Sequence, residues 1–492
     1  MNKKFKIKLL KDKLDLIANK SIKNGEYEKA IVAISSCANI LYQWNQLFVD
    51  DNLENKIKIL ANNLVKKNFN KKESNADTVL FYDDFGLDTR GLALIYLKAI
   101  ASLGYHLVYL RPETKNLPTE IYKNLNGFNV TWKTFTKKKH LQKLRDINNI
   151  FIKYKPKVAF FYAYPNDVAG ASVFCAYKNI VKRFQINLTD HAYWLGKNAF
   201  DYCIEFRDYG AFVSNKYRKV EKEKLVKLPF YPYFDKNILF QGFPFDVKNK
   251  KIIFSGGNLY KTLGDANNTY YKIVNSILSK HLDVIFLYAG NGDATELNKL
   301  MKIYPNRVYH IKERKDLYQL MTHITLYLNT YPILGGLMTQ YAAVAGKIPI
   351  TLIRKNDVFD GFLINQEKIG IEYTNIDELL KDVDKLLEDD NYRHDREKKL
   401  IGSVISENDF KEAVQDIILK NSTKYDISYK EYNNEMFLKG YVKRANYNNI
   451  AFSSIATFSN RILLKDFPEI FVKKFFYKLP KVPKKIIEKI RS

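Results

Sequence analysis

From Thr78 onward the chain alternates short, strongly apolar runs with helical patterns, and that alternation constrains the fold more than any other feature. TVLFYDDF, HLVYL, NVTWKTF, VAFFYAYP, FQINLTD, DYCIEF and GAFVS read as short strands, with a helix over residues 92–103 after the first. Runs apolar on both faces belong to a largely parallel sheet covered by helices on each side. Residues 229–250 hold Pro229, Pro232 and Pro244 with little periodicity, which reads as a hinge. A second α/β series follows: KIIFSGG, DVIFLYAG, RVYHI, ITLYLNTYP, IPITLI and IGIEYT, with helices near residues 270–279, 315–323 and from Gly336. Residues 377–400 and 409–420 are predicted helices closing that second domain. In open α/β sheets ligands sit beyond the carboxyl ends of the strands, so two such domains should enclose a binding cleft.

The rest of the 492 residues fits around this pair. At ~150 residues per domain the length allows three units. Residues 1–75 carry apolar positions at helical spacing (Leu14, Ile17, Ala18, Ile22; then Ala30, Ile31, Ala33, Ile34) and read as a helical region. The stretch GEYEKAIVAI looks like one helical-hairpin repeat, but no second copy follows at 34 residues. The expected organisation is a helical region over 1–75, α/β domains over 76–240 and 241–420, and a C-terminal extension over 421–492.

Composition excludes several classes. Hydrophobic residues at 46% and charged ones at 27% rule out wholesale disorder. Three cysteines, Cys37, Cys175 and Cys203, supply neither a disulfide framework nor zinc-site spacing. The start shows no secretory signal, and the apolar stretch 158–177 is broken by Asn166 and Asp167, so a cytoplasmic protein is expected. A net charge of +27 attracts polyanions, although dispersed lysine also accompanies the Lys-, Asn-, Ile- and Tyr-rich composition typical of AT-rich genomes. No nucleic-acid-binding signature is present. The charge is most concentrated after residue 460. Ten bases face three acids from Arg461 to Ser492, interleaved with Phe467, Phe471, Phe475, Phe476, Tyr477, Leu479, Ile486 and Ile487. That pattern reads either as an element lying on the inner face of a membrane or as a terminal helix docked on the body with a solvated basic face.

Candidate chemistry concentrates at strand ends. Gly256-Gly257 follows a strand and precedes Asn258 and Lys261, so backbone amides and one cation are available to a phosphate; a tight turn with a surface lysine fits equally. Gly290-Asn291-Gly292 ends the next strand, near a bound base or ribose or as an ordinary turn. Asn329-Thr330-Tyr331-Pro332, then Gly335-Gly336 and Thr339-Gln340, run a strand into a helix whose N-terminal amides suit a diphosphate. Glu313 and Arg314 stand near a helix start, as donor contacts or as a surface ion pair. In the first domain, Asp190-His191 closes a strand, where an imidazole suits general-base work. Sequence neighbours on a strand point to opposite faces, so Asp190 need not orient His191. Asp88 and Arg90 follow the first strand, as acceptor contacts or as a helix cap, and Arg207 is a further acceptor-side candidate.

The spacing strand–Thr-x-Pro, Gly-Gly-x-x-Thr, Ala-Gly-x-x-Pro over about residues 250–355 resembles the donor-binding half of GT-B glycosyltransferases. It is most similar to the O-GlcNAc-transferase-like group, including bacterial enzymes that glycosylate adhesins. The resemblance implies a pair of Rossmann-type domains facing a cleft. It also implies a hexosyl- or N-acetylhexosaminyltransferase using a nucleotide-diphosphate sugar, UDP-linked. The group's Phe-Asn-x-Leu-Tyr-Lys segment is echoed by Gly257 to Lys261, without the Phe, and implies that Lys261 contacts the diphosphate. Its Asp-Thr-x-Pro-x-x-Gly loop is matched by Asn329 to Gly335, with Asn for Asp, and its helix-start threonine by Thr339. The Glu-x7-Glu pattern of many retaining enzymes is missing from residues 332–345, which favours inversion. The expected acceptor is a hydroxyl of a growing cell-surface glycan or lipid-linked oligosaccharide. Protein O- or N-glycosylation and a non-catalytic partner subunit are the alternatives. No metal and no cofactor beyond the nucleotide sugar is expected, and Asp83-Asp84 and Asp389-Asp390 do not form an Asp-x-Asp motif.

Overall fold

The computed structural model describes residues 3–88, 91–114, 118–137, 139–354 and 361–478. The chain opens with three helices, α1 (Lys3–Lys23), α2 (Tyr27–Trp44) and α3 (Asp51–Leu64). Asp50 starts α3 by accepting from the amides of Asn52 and Leu53, an N-cap. Asn45 ends α2 in the left-handed conformation, which asparagine tolerates.

The first sheet contains β1 (Asn75–Asp83), β2 (His106–Pro112), β3 (Val130–Phe135), β4 (Pro156–Tyr162), β5 (Lys182–Ile186), β6 (Tyr202–Glu205) and β7 (Leu225–Lys227). They lie in the order β3-β2-β1-β4-β5-β6-β7, every neighbouring pair parallel. The second sheet is built the same way from β8 (Lys251–Gly256), β9 (Val284–Ala289), β10 (Val308–Ile311), β11 (Leu326–Leu328), β12 (Pro349–Leu352) and β13 (Glu372–Tyr373). Its order is β10-β9-β8-β11-β12-β13, again all parallel. Strand order reverses between β1 and β4 and between β8 and β11, so each domain opens a crevice there.

Alternation along β1 shows why the strands are apolar throughout. Val79 and Phe81 face a core with Leu107, Tyr109 and Leu97, while Leu80 and Tyr82 face another with Val108, Leu110 and the N-terminal helices. Three elements differ from their sequence reading. GAFVS lies in the helix Asp208–Lys216, where Gly210 passes the Glu205 carboxylate so closely that a Cβ would meet Glu205 Oε2 at 2.3 Å. β5 stops at Ile186, so Thr189 to Ala192 form a loop rather than a strand end. The helix Glu407–Lys420 packs on the helix Ala93–Ser102 of the first domain, burying Phe410, Val414 and Ile417 in the core to which Tyr96 belongs. At about 1.5–3 kcal/mol per buried side chain, that crossover ties the domains together. The helices Tyr447–Ile455 and Asn460–Asp466 join the core of the N-terminal helices, with Leu463, Phe467 and Ile470 buried. Leu479, Ile486 and Ile487 lie outside the described residues, and nothing is described of the side chains of Phe475, Phe476 and Tyr477. Among the described residues no helix is long and apolar enough to cross a membrane.

Candidate functional site

Three loops of the second domain meet at the β8/β11 crevice. Gly257 takes φ +130°, its amide donating to Ala289 O (2.9 Å) and its carbonyl accepting from Tyr288 Oη (3.0 Å). Gly290 closes on it so tightly that a Cβ would lie 1.9 Å from Gly257 O. Leu259 N then donates to Asn291 O (2.8 Å), and Lys261 O accepts from Ile333 N (3.1 Å), joining the first loop to the second and third. Asn258 and Asn291 are exposed beside this seam.

Asn329 organises the third loop. Its Oδ1 accepts from Thr330 N and Gly335 N (2.9 Å each), and its Nδ2 donates to Thr339 Oγ1 (3.1 Å) and Thr351 Oγ1 (3.2 Å). Both threonine hydroxyls donate to carbonyls, of Gly335 and Pro349, so they have only lone pairs to offer. A carboxylate cannot donate to them; an amide can. That explains asparagine where the GT-B pattern has aspartate. Thr330 and Thr339 are therefore buried members of the loop's frame, Thr330 Oγ1 donating to Ile333 O at 2.7 Å. Gln340 is also turned inward, its Nε2 bridging Phe230 O and Phe362 O (2.9 Å each). Gly336 starts its helix under the Phe362 ring, where a Cβ would meet ring carbons at 2.2 Å. Gly256 lies against Met338.

Lys261 differs from the other candidate cations. It is partly buried, burial lowers its ammonium below the ordinary lysine range, and no carboxylate partner stands by it among the described residues. Its side chain folds over Gly257, the Cδ 3.6 Å from where a Cβ would stand. A desolvated, unpaired cation beside exposed loop backbone is an arrangement an anion completes. Arg314, expected here, is occupied elsewhere. It forms a bidentate pair with Asp316 and donates to Gly242 O (2.7 Å), pinning the hinge segment to its domain. Glu313 is exposed on the same loop.

In the first domain the loop after β5 presents His191, whose side chain is 40% exposed. Asp190 is buried and does touch it, Oδ1 lying 3.1 Å from Nδ1, because both residues sit in a loop and the strand alternation does not apply. Arg207, an expected acceptor contact, is buried with Asp190 instead, Nε to Oδ2 at 2.6 Å and Nη2 to Oδ1 at 3.2 Å. Burial would raise the Asp190 carboxyl, but Arg207 and the His191 hydrogen bond hold it well below the usual carboxylate range. An ionised Asp190 only accepts, so Nδ1 carries the hydrogen and Nε2 the basic lone pair.

Two residues invisible to local reading fix this loop. Arg218, fully buried, donates to the carbonyls of Thr189 (3.3 Å), Asp190 (3.0 Å) and Ala192 (2.5 Å). Asn45, at the end of α2, donates to His191 O (2.9 Å) and accepts from Tyr193 N (3.0 Å). Nothing near Asn45 in sequence signals a partner 146 residues away.

Asp88 is spoken for: its carboxylate accepts from Thr119 Oγ1 and from the amides of Glu120 and Ile121, capping the helix Thr119–Leu125. Arg90 lies outside the described residues. At the β1/β4 crevice, Lys143 bridges Asp84 (2.7 Å) and Asp167 (2.8 Å), all buried. Asp83 accepts from Gly86 N and Tyr109 Oη (2.9 Å each), and burial pushes its carboxyl up to about 6. An acid raised in the folded state costs stability as pH rises from the unfolded value of 3.8 through 6. Asp83→Asn should therefore be more stable than wild type above pH 7, by about 2–3 kcal/mol, with the gain vanishing near pH 4. Denaturant melts across that range check it.

Above these acids the crevice is aromatic. Phe85 and Tyr164 follow β1 and β4 with ring centroids 4.2 Å apart, and Tyr164 is exposed. α2 contributes to the same wall, Ser35 Oγ donating to Asn166 O at 3.0 Å. Burial and the Tyr260 phenol of the second domain push the Tyr42 hydroxyl of α2 upward.

No protein-family model matches the sequence, and no curated protein does. Solved structures do. An O-GlcNAc transferase mutant from Thermobaculum terrenum superposes with TM-score 0.50 at 12% identity, over 82% of this chain and 81% of that one. HepE from Anabaena in complex with UDP gives TM-score 0.53 at 13% identity, over 70% of this chain and 99% of that one. A UDP-GlcNAc 2-epimerase from Neisseria meningitidis bound to UDP-GlcNAc gives 0.49 at 12%, over 70% and 100%. The fold is GT-B.

Proposed function

We propose that this chain is a glycosyltransferase that moves a sugar from a nucleotide-diphosphate sugar, UDP-linked, to a hydroxyl of a growing glycan or lipid-linked oligosaccharide. The observation that carries the reading is Lys261, a desolvated cation without a carboxylate, folded over the Gly257–Gly290 seam at the second crevice. That the Anabaena neighbour was solved with UDP, and that the Thermobaculum neighbour is an O-GlcNAc transferase, supports it.

In this reading the diphosphate lies against the loop amides with Lys261 as its countercharge, and the base and ribose lie near Asn258, Gly290 and Asn291. His191 Nε2 takes the proton of the acceptor hydroxyl, whose oxygen attacks the anomeric carbon. The bond from that carbon to the diphosphate oxygen breaks, and the nucleoside diphosphate leaves with the electron pair. One displacement inverts the anomeric centre. Charge on the leaving group is met by Lys261 and backbone dipoles, so no metal is required. Phe85 and Tyr164 favour a sugar acceptor, because the apolar faces of sugar rings stack on aromatic rings. A polypeptide acceptor is the second reading, favoured by the place of α2 on the cleft wall.

Incubation with a panel of nucleotide sugars should release nucleoside diphosphate, and mass spectrometry of products formed on membrane extracts should find an extended glycan. No release from any donor would support a non-catalytic partner subunit, and modified peptide without modified glycan would favour the second reading. Asn45 supplies a further check. Asn45→Ala strips the partners from His191 O and Tyr193 N, about 1–3 kcal/mol of stability. It should lower kcat about tenfold with KM for the donor unchanged, since the donor loops are untouched.

A further inference from the structure

We propose that the outward face of α1 docks on an anionic lipid surface. The helix is apolar on two sides. Ile7, Leu10, Leu14 and Ala18 are buried in the core shared with α2. On the opposite side Phe5, Leu9 and Leu16 are 54%, 53% and 69% exposed. At 3.6 residues per turn these three fall within about 40° of one another, a single row about 16 Å long. Lys13 and Lys20 border the row on one side and Lys8 on the other, with the exposed Asp12 at its edge. The helix carries eight lysines against Asp12 and Asp15, and Asp15 is spent on Lys56 at 3.0 Å.

A stable fold gains nothing from a solvated row of Phe and Leu, whereas an interfacial helix with apolar teeth and flanking lysines gains from both lipid chains and phosphates. Charge selects the occupant. A second copy would bring another lysine-rich face against this one, and like charges repel. The C-terminal segment adds to the same side: Lys13 Nζ donates to Asp466 O and lies 4.5 Å over the Phe467 ring, and Lys6 lies over Tyr447. Arg461 and Lys465 lie on the helix Asn460–Asp466, whose last residue accepts from Lys13.

Co-sedimentation of the full chain with phosphatidylglycerol–phosphatidylcholine vesicles tests it. Wild type should bind these, fail to bind pure phosphatidylcholine, and be released at high salt. The exposed triple variant F5S/L9S/L16S should keep its melting temperature and lose at least tenfold in vesicle affinity. Should the triple variant not fold, Leu16→Glu alone should lose at least threefold. Wild-type binding to neither vesicle, unchanged binding by the variants, or a wild-type dimer that the triple variant dissolves would each overturn the proposal.

Discussion

Lys261→Ala is expected to cut sugar transfer by about 10²–10³ while leaving the folded chain as stable as wild type or slightly more so. The ammonium is desolvated and its proton affinity lowered by burial, with no carboxylate offsetting the cost. A lysine depressed in the folded state costs stability below its folded value, so truncation relieves that cost in the absence of ligand. With a diphosphate bound the sign reverses, because charge-assisted hydrogen bonds to a partly buried anion are strong. Losing one should weaken nucleoside-diphosphate affinity by about 1.5–3 kcal/mol, roughly tenfold to a hundredfold. Transfer should fall further, by about 10²–10³, because the leaving group's charge is largest in the transition state. Calorimetric melts with and without UDP, and UDP-release rates, measure the two effects separately.

His191→Ala is expected to lower kcat by about 10²–10⁴, the usual share of a positioned general base. Nucleotide affinity should stay unchanged, and so should stability, since the side chain is 40% exposed. Asp190→Asn is a different experiment. It removes the acceptor that fixes the His191 tautomer and also strips Arg207 of a buried counter-charge, which costs about 3–5 kcal/mol. The pH dependence separates the two. Asp190 is depressed in the folded state, so wild type holds that stability above about pH 4 and loses it on acidification. The stability gap to Asp190→Asn should close as pH falls below 4, while a rate deficit through the histidine persists at neutral pH.

How much of this the chain shows in its letters depends on sequence separation. Strand and helix periods reveal both sheets, because parallel strands buried on two faces leave a pattern of short apolar runs. GAFVS misleads, since a short mostly apolar run fits a strand or a buried helix equally, and the run lies in the buried helix Asp208–Lys216. The Gly257–Gly290 seam and Lys261 are legible because each strand end is followed at once by its loop. Arg207 and Arg314 look like ligand cations until their partners, Asp190 and Asp316, are seen in space. Asn45 and Arg218 leave no local trace, because each acts on a loop far along the chain. The helix Glu407–Lys420 shows no sign in its own pattern that its apolar face belongs to the other domain.

Titration of UDP into wild type and Lys261→Ala by isothermal calorimetry tests most directly that the second crevice is a nucleotide-diphosphate site. Wild type should bind one UDP per chain, and the variant at least tenfold more weakly with an unchanged melting temperature. Equal affinity in the two proteins, or no binding of UDP or other nucleoside diphosphates by wild type, would contradict it.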